Sequence, residues 1–294
     1  MATAGTARQL LEIDEQDFSR NFSERAFAVR HELAGHPLLT LDAMAELADR
    51  LPLKSIERHR ADLPLLSPGK PPELEGPPSE TVRQLESGNA WMVMWYIEQI
   101  PEYKALVDDC LDQVERYVGK RHGGMRYRKA YLFLSAPGAT TPAHFDPEQN
   151  LLLQIRGTKD FTVGQFSSAA NRQSELDRYF DGGHRNLDHM PEAEQAFHME
   201  PGDGVYVPPF APHWVHVPGT QAAISLSITF RTRASLEMER VSHFNARIRR
   251  IGLSTRPPGV SPSRDRLKAS VVEKLGALKG HRGDAEHGDP GGDN

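Results

Sequence analysis

The chain has 294 residues, 38% of them hydrophobic and 26% charged, a balance that supports a sizeable core and argues against global disorder. A net charge of −5 gives no electrostatic footprint for nucleic acid as a partner. A single cysteine, Cys110, excludes an internal disulfide and suits a reducing, cytoplasmic setting; no run of 18 apolar residues occurs, so no membrane-spanning helix is expected, and residues 1–8 lack the apolar stretch expected of a secretory signal.

Residues 1–20 are polar and are expected to be loosely attached. Phe27 to Leu33 reads as a strand, and Thr40 reads as the cap of a short helix ending near Leu51. His31 and His36 stand one residue too far apart to share a helical face as zinc-protease histidines do, and Gly35 interrupts them, so no metal is expected there. Pro64, Pro68, Pro71, Pro72, Pro77 and Pro78 mark 64–78 as an extended connector, after which Ser79 is expected to cap a helix over about 80–88. The Trp91–Tyr96 run reads as core. From Pro101 onward Tyr103, Leu106, Val107, Cys110, Val114 and Val118 recur at helical spacing, which predicts an amphipathic helix on the outside of a sheet. Within that stripe Cys110 is apolar filler rather than a nucleophile.

Tyr127 to Asp160 reads as consecutive strands broken by Pro137, Gly138, Pro147 and Gly157, and Phe161–Phe166 continues the pattern. Residues 167–196 are polar and irregular. They are expected to form a solvated loop, with Asn171, Arg172, Arg178, His184, Arg185 and His189 available if it edges a binding site. Phe197–Glu200, Gly204–Val207, Trp214–Val217 and Ala222–Phe230 complete a set of short strands. The fold expected is mainly β with flanking helices, an antiparallel jelly roll of the cupin kind. Val241, Phe244, Ile248 and Ile251 form one further helical stripe, and Leu267, Val271, Leu275 and Leu278 another. The organisation expected is a flanking region over 1–126, a β core over 127–231, C-terminal helices over 232–278, and a disordered tail over 279–294 whose His281 and His287 are solvated.

Chemistry concentrates in two places. His144 and Asp146 are two residues apart, and on a strand such positions share a face, so an imidazole and a carboxylate can converge on one ion. A buried histidine bonded to a local carboxylate would explain that pair alone equally well. His213, in a segment that follows the Pro201-Gly-Asp turn, adds a second imidazole and favours the metal. His216 falls on the opposite face of the same strand, so His213 is the preferred ligand. Two histidines and a carboxylate with open positions suit non-haem Fe(II), leaving room for a 2-oxo acid and O2. A dianion such as 2-oxoglutarate buried beside the ion needs a cation. Lys159, just past the turn at Gly157, is the candidate, although a lysine at a strand end is ordinarily solvated. Thr141 offers a hydroxyl nearby.

The pattern Thr141-Pro-Ala-His144-x-Asp146-x-x-Gln149-Asn150, then Gln154-Ile155-x-Gly157-x-Lys159, then Pro201-Gly-Asp203 with Pro208 and His213, resembles the Jumonji-C (JmjC) branch of cupin-type Fe(II)/2-oxoglutarate-dependent oxygenases. Within that branch it is similar to the asparaginyl hydroxylase acting on hypoxia-inducible factor and to bacterial cupin-like proteins. The resemblance covers 127–231 and is loose beyond. It implies a double-stranded β-helix, iron held by His144, Asp146 and His213, and 2-oxoglutarate held by Lys159 and Thr141 with Asn150 close by. Thr229 stands where that hydroxylase has an asparagine, and Ala211-Pro212 where family members often carry a tryptophan pair. Arg231 is read as a surface or core-edge residue rather than as a substitute carboxylate partner. The activity implied is a dioxygenase that hydroxylates a C–H bond of a peptide, protein or amino-acid-like substrate while 2-oxoglutarate becomes succinate and CO2. A demethylase is the variant of the same chemistry, and a cupin binding module without turnover or a zinc or manganese isomerase or hydrolase are the alternatives. The C-terminal helices resemble those through which several family members form homodimers, and packing back onto the barrel is the other use for them.

Overall fold

The computed structural model describes residues 9–61 and 73–278; the expected tail over 279–294 and the 64–72 part of the connector lie outside the described residues. The chain opens with β1 (Leu11–Glu12), α1 (Glu15–Asn21), β2 (Phe27–His31), α2 (Leu41–Arg50), β3 (Ile56–Arg60), α3 (Pro78–Arg83), β4 (Ala90–Met94) and α4 (Pro101–His122). The core follows as β5 (Met125–Ser135), β6 (Thr140–His144), β7 (Gln149–Arg156), β8 (Lys159–Gln165), α5 (Ala169–Phe180), β9 (Glu192–Met199), β10 (Asp203–Val207), β11 (His213–His216) and β12 (Ala223–Thr232). Two helices close the described chain, α6 (Arg233–Arg250) and α7 (Pro262–Leu278).

The strands form a large sheet, β1-β2-β10-β7-β12-β5-β4-β3, and a small one, β6-β11-β8-β9, with antiparallel pairing throughout. This is the mainly β, double-stranded β-helix expected from the sequence, with helices on its flank. Strand alternation explains how one sheet serves two environments. Along β12, Ile224, Leu226, Ile228 and Phe230 join the apolar cluster that holds Met44 and Leu47 of α2 and Leu106, Val107, Cys110 and Val114 of α4. The intervening Ser225, Ser227 and Thr229 are equally buried. They turn to the space between the sheets, where Ser227 Oγ donates to Asn150 Oδ1 at 2.8 Å and Ser225 Oγ to Gln154 Oε1 at 2.6 Å. The helix-covered face is therefore a dry core, and the enclosed face carries polar groups.

One turn fixes the register of β8. Gly157 has φ 63°, and a Cβ there would lie 2.2 Å from the Ala222 carbonyl oxygen, so only glycine lets β7 return as β8 at that point. Lys159 then starts β8 paired with Met199.

Three expectations need correction. Residues 9–20 are not loose: Leu10, Leu11 and Phe18 are buried, and the Leu10 and Leu11 amides donate to Gln113 Oε1 at 2.9 and 3.1 Å. A short apolar pair among charged and polar residues still reaches the core once a sheet edge recruits it. The helix placed over 80–88 starts at Pro78 and is capped by no side chain, because proline presets the first turn without Ser79's help. The segment 167–196 is not an irregular loop: it contains α5, where the Ser168 side chain accepts from the Asn171 amide, and most of β9. Both were hidden because α5 fully buries only Glu175 and Leu176 and β9 leaves most of its side chains exposed, so neither writes an apolar stripe.

Candidate metal and co-substrate site

His144 ends β6 and His213 begins β11, and the two are directly paired in the small sheet. Asp146 follows β6 by two residues, which brings its carboxylate to the same face. Asp146 Oδ2 lies 3.5 Å from His213 Nε2 and 3.8 Å from His144 Nε2. With metal–ligand bonds of about 2.1 Å, two ligands on one ion sit about 3.0 Å apart when adjacent and about 4.2 Å when opposed. The observed separations fall between those limits, and the three donor atoms all lie within 4.8 Å of one another. Among the described residues this is the one such cluster of histidine and acidic side chains.

The ring nitrogens are assigned by their partners. His144 Nδ1 faces the Pro142 carbonyl at 2.8 Å and His213 Nδ1 the Ala211 carbonyl at 3.0 Å. A carbonyl can only accept, so each Nδ1 carries the hydrogen and each Nε2 turns a lone pair to the common point. Burial, then the neighbouring His213, pushes the His144 imidazole down to about 3, against the pull of Asp146, and keeps it neutral. Burial pushes the Asp146 carboxyl up, but the Arg185 guanidinium and the two imidazoles outweigh it and hold the group well below the usual carboxylate range. Two imidazole Nε2 atoms and a carboxylate oxygen turned toward one point fit a divalent cation.

The loop before His213 is strained where it supports this arrangement. Phe210 is buried with φ 62°, a conformation bulky residues rarely adopt, and its amide donates to the Asp146 carbonyl oxygen at 2.6 Å. His213 also stacks on Phe161 of β8, with ring centroids 5.2 Å apart. His216 is exposed on the opposite side of β11.

Lys159 sits two residues before Phe161 on the same face of β8, and it is 3% exposed. Its ammonium makes no hydrogen bond or ion pair with any described residue; the aromatic face of Phe133 lies 5.9 Å away. Burial alone pushes the amine down to about 7. Thr141 Oγ1 accepts from Trp91 Nε1 at 3.2 Å, which leaves the hydroxyl hydrogen free to donate elsewhere. Thr229 Oγ1 is buried without a hydrogen bond of normal geometry, although the Tyr131 hydroxyl leans toward it. Asn150 pairs with Thr229 across β7 and β12 and accepts from Ser227. A buried cation without counter-charge among the described residues suits an anion that would complete it.

Sequence reasoning missed the charged ring beside the metal cluster. Arg231 is not a surface residue: it is buried, pairs with Glu148 at 2.8 Å and with Glu239, and so has no charge to spare for a co-substrate. Arg185, from the segment read as a solvated loop, pairs with Asp146. Tyr179 of α5 is pushed up to about 12 by burial and by Glu148. The signal was absent because these residues come from four separate segments, and only the tertiary fold joins them. His31 and His36 do not meet: His31 Nε2 faces the Gln154 carbonyl at 3.0 Å, and the His36 side chain caps a short 3₁₀ turn.

Residues 112–238 match the family model of the JmjC domain. Among solved structures, Escherichia coli ycfD superposes with a TM-score of 0.55 at 18% identity, over 96% of this chain and 71% of that one. YcfD, described as a ribosomal oxygenase, in complex with cobalt and 2-oxoglutarate, gives a TM-score of 0.52 over 95% of this chain and 70% of that one, again at 18% identity. At that identity the likeness establishes the fold. A curated relative, the uncharacterised protein YxbC of Bacillus subtilis (strain 168), is 26% identical over 161 residues, which is 49% of this chain and 48% of that protein. The chain thus spans about half the length of the curated relative it matches. No helix among the described residues is long and apolar enough to cross a membrane.

Proposed function

We propose that this protein is an Fe(II)- and 2-oxoglutarate-dependent oxygenase, with His144, Asp146 and His213 as the iron ligands. The observation that carries the reading is Lys159, a buried ammonium without a charge partner among the described residues, two positions along β8 from Phe161, which stacks on His213. A metal site alone is compatible with zinc or manganese chemistry, but a resident unpaired cation is a standing cost that an anionic co-substrate removes. The presence of 2-oxoglutarate and cobalt in the structural neighbour YcfD supports the same reading.

Bound iron supplies oxidative decarboxylation of the 2-oxo acid coupled to oxidation of an unactivated C–H bond. The chain's own residues do the rest. Each imidazole commits its Nδ1 hydrogen to a carbonyl, which fixes the tautomer that turns Nε2 toward the metal point. Lys159 receives the distal carboxylate, and Thr141 and Thr229 donate hydroxyl hydrogens to it or to its neighbour, with Asn150 beside them. Phe133, Phe161 and the clustered Trp91, Val93 and Trp95 keep that end dry, which strengthens each charged contact. Hydroxylation of a peptide, protein or amino-acid-like substrate is the reaction this arrangement serves, and the ribosomal oxygenase label of YcfD favours a protein substrate over a free small molecule.

Anaerobic addition of Fe(II) and then 2-oxoglutarate tests the reading. A weak visible charge-transfer band near about 500 nm is expected for a chelated 2-oxo acid on the metal. Metal uptake without that band on saturating 2-oxoglutarate would point to non-redox cupin chemistry instead.

A further inference from the structure

The distal oxygen of Asp146 is spoken for. Oδ2 faces the two imidazoles, while Oδ1 is taken by Arg185 NH1. Arg185 does not reach that oxygen from a free loop. Arg178 of α5 clamps both residues beside it, donating to the His184 carbonyl at 2.8 Å and to the Asn186 carbonyl at 2.7 Å. Glu175, 4% exposed, pairs with Arg178 and accepts from the Asp188 amide at 3.2 Å. On the other side, Leu187 donates to the Ala143 carbonyl at 2.8 Å and Asn186 bridges to His144, so the loop is stitched to β6 next to the ligands themselves. α5 is in turn tied to α6 by Arg249, whose guanidinium grips Asp177 at 2.7 and 2.5 Å.

We propose that Arg185 is a positioning residue that holds Asp146 as a one-oxygen ligand, and that the Glu175–Arg178 clamp exists to keep it there. A carboxylate free to swing can offer both oxygens to an ion and so close a coordination position. With Oδ1 engaged by a planar guanidinium, only Oδ2 is left for the ion, and the remaining positions stay open for a two-point co-substrate and dioxygen. The inference rests on the metal reading above and concerns a residue outside the ligand set. It has a plain rival: Arg185 neutralises Asp146 only until a cation arrives. The two differ in sign. A mere counter-ion repels the incoming dication, so removing it tightens metal binding. A positioning partner orients the ligand, so removing it weakens binding, by about 10–100-fold as for other partners of metal-ligating groups.

The experiment is titration of purified protein with Co(II), followed by the metal's visible absorption, for wild type, Arg185→Ala, Arg185→Lys and Arg178→Gln. Circular dichroism and metal-free melting check that each variant is folded, and Arg185→Gln replaces the alanine variant if that one is not. Weaker Co(II) binding is expected for Arg185→Ala, with a smaller loss in Arg185→Lys, which keeps the charge but not the planar fork. A loss in the same direction is expected for Arg178→Gln, which touches no ligand. 2-Oxoglutarate added to the Co(II) protein should perturb the spectrum in wild type and less in Arg185→Ala, because a carboxylate binding through both oxygens has closed a site. Equal or tighter Co(II) binding in Arg185→Ala would overturn the proposal. Failure of the wild type to take up Co(II) at all would instead count against the metal reading on which it rests.

Discussion

The two ends of the space between the sheets are finished to different degrees. At the metal end every polar group has a protein partner: both imidazole Nδ1 atoms face carbonyls, and Asp146 is held by Arg185. At the other end, buried Lys159 has no counter-charge among the described residues. The first end is pre-organised, so binding an ion there asks for little rearrangement. The second is unfinished in the ligand-free chain, and its stability waits on an anion. A site that is resident at one end and transient at the other is what a bound metal and a consumed co-substrate require.

The largest expected effect tests the finished end. Asp146→Ala should abolish Fe(II) or Co(II) binding in a metal titration, well beyond the about 10–100-fold that follows loss of an outer partner. Next, Lys159→Ala should weaken 2-oxoglutarate binding to the metal-loaded protein by about 2–5 kcal/mol, the usual consequence of truncating one member of a buried charge pair, while calorimetry shows metal affinity little changed. Equal 2-oxoglutarate affinity in that variant would remove Lys159 from the site. The same position should act the other way on the ligand-free fold. Lys159→Met fills the volume without the charge and should raise metal-free stability by about 1–3 kcal/mol in a denaturant titration.

The pH dependence follows from the same ammonium. Its pKa is pushed down from 10.5 to about 7 in the folded chain, so between those values the unfolded chain binds a proton that the folded one does not. Ligand-free stability should therefore rise with pH across that window and lose this dependence below it; Lys159→Met should lack the slope. Binding a dianion favours the protonated amine, so 2-oxoglutarate binding above pH 7 should draw in a proton, seen as a buffer-dependent heat. The smallest effect belongs to Thr229→Val, which removes an unsatisfied hydroxyl and should leave metal-free stability unchanged or higher by about 1 kcal/mol.

Much of the core was legible before any coordinates, because it is written with period two. β12 alternates apolar and small polar residues from Ile224 to Phe230, and β7 runs into Gly157, which only a tight return explains. The helical stripe after Pro101 was equally plain, since Leu106, Val107, Cys110, Val114 and Val118 all reach the core. The metal cluster was readable in part, through the strand spacing of His144 and Asp146 and the odd offset that turns His216 away. α5 and β9 were not readable, because an element that buries only Glu175 and Leu176, or leaves its side chains mostly outside, carries no apolar period. The ring of Glu148, Arg185 and Arg231 was invisible for a different reason: charged residues in separate polar segments look solvated until a fold buries them together.

The sequence by itself determined the rolled sheet, the helix-covered face and the three candidate donors His144, Asp146 and His213, because backbone periodicity and donor chemistry are local properties of the chain. Only the tertiary structure decided which charges lose water and which find partners. Burial left Lys159 without a counter-charge among the described residues, and it paired Arg231 with Glu148 and Glu239 and Arg185 with Asp146. Desolvation depends on what packs around a group from the rest of the chain, and no single stretch of sequence contains that information.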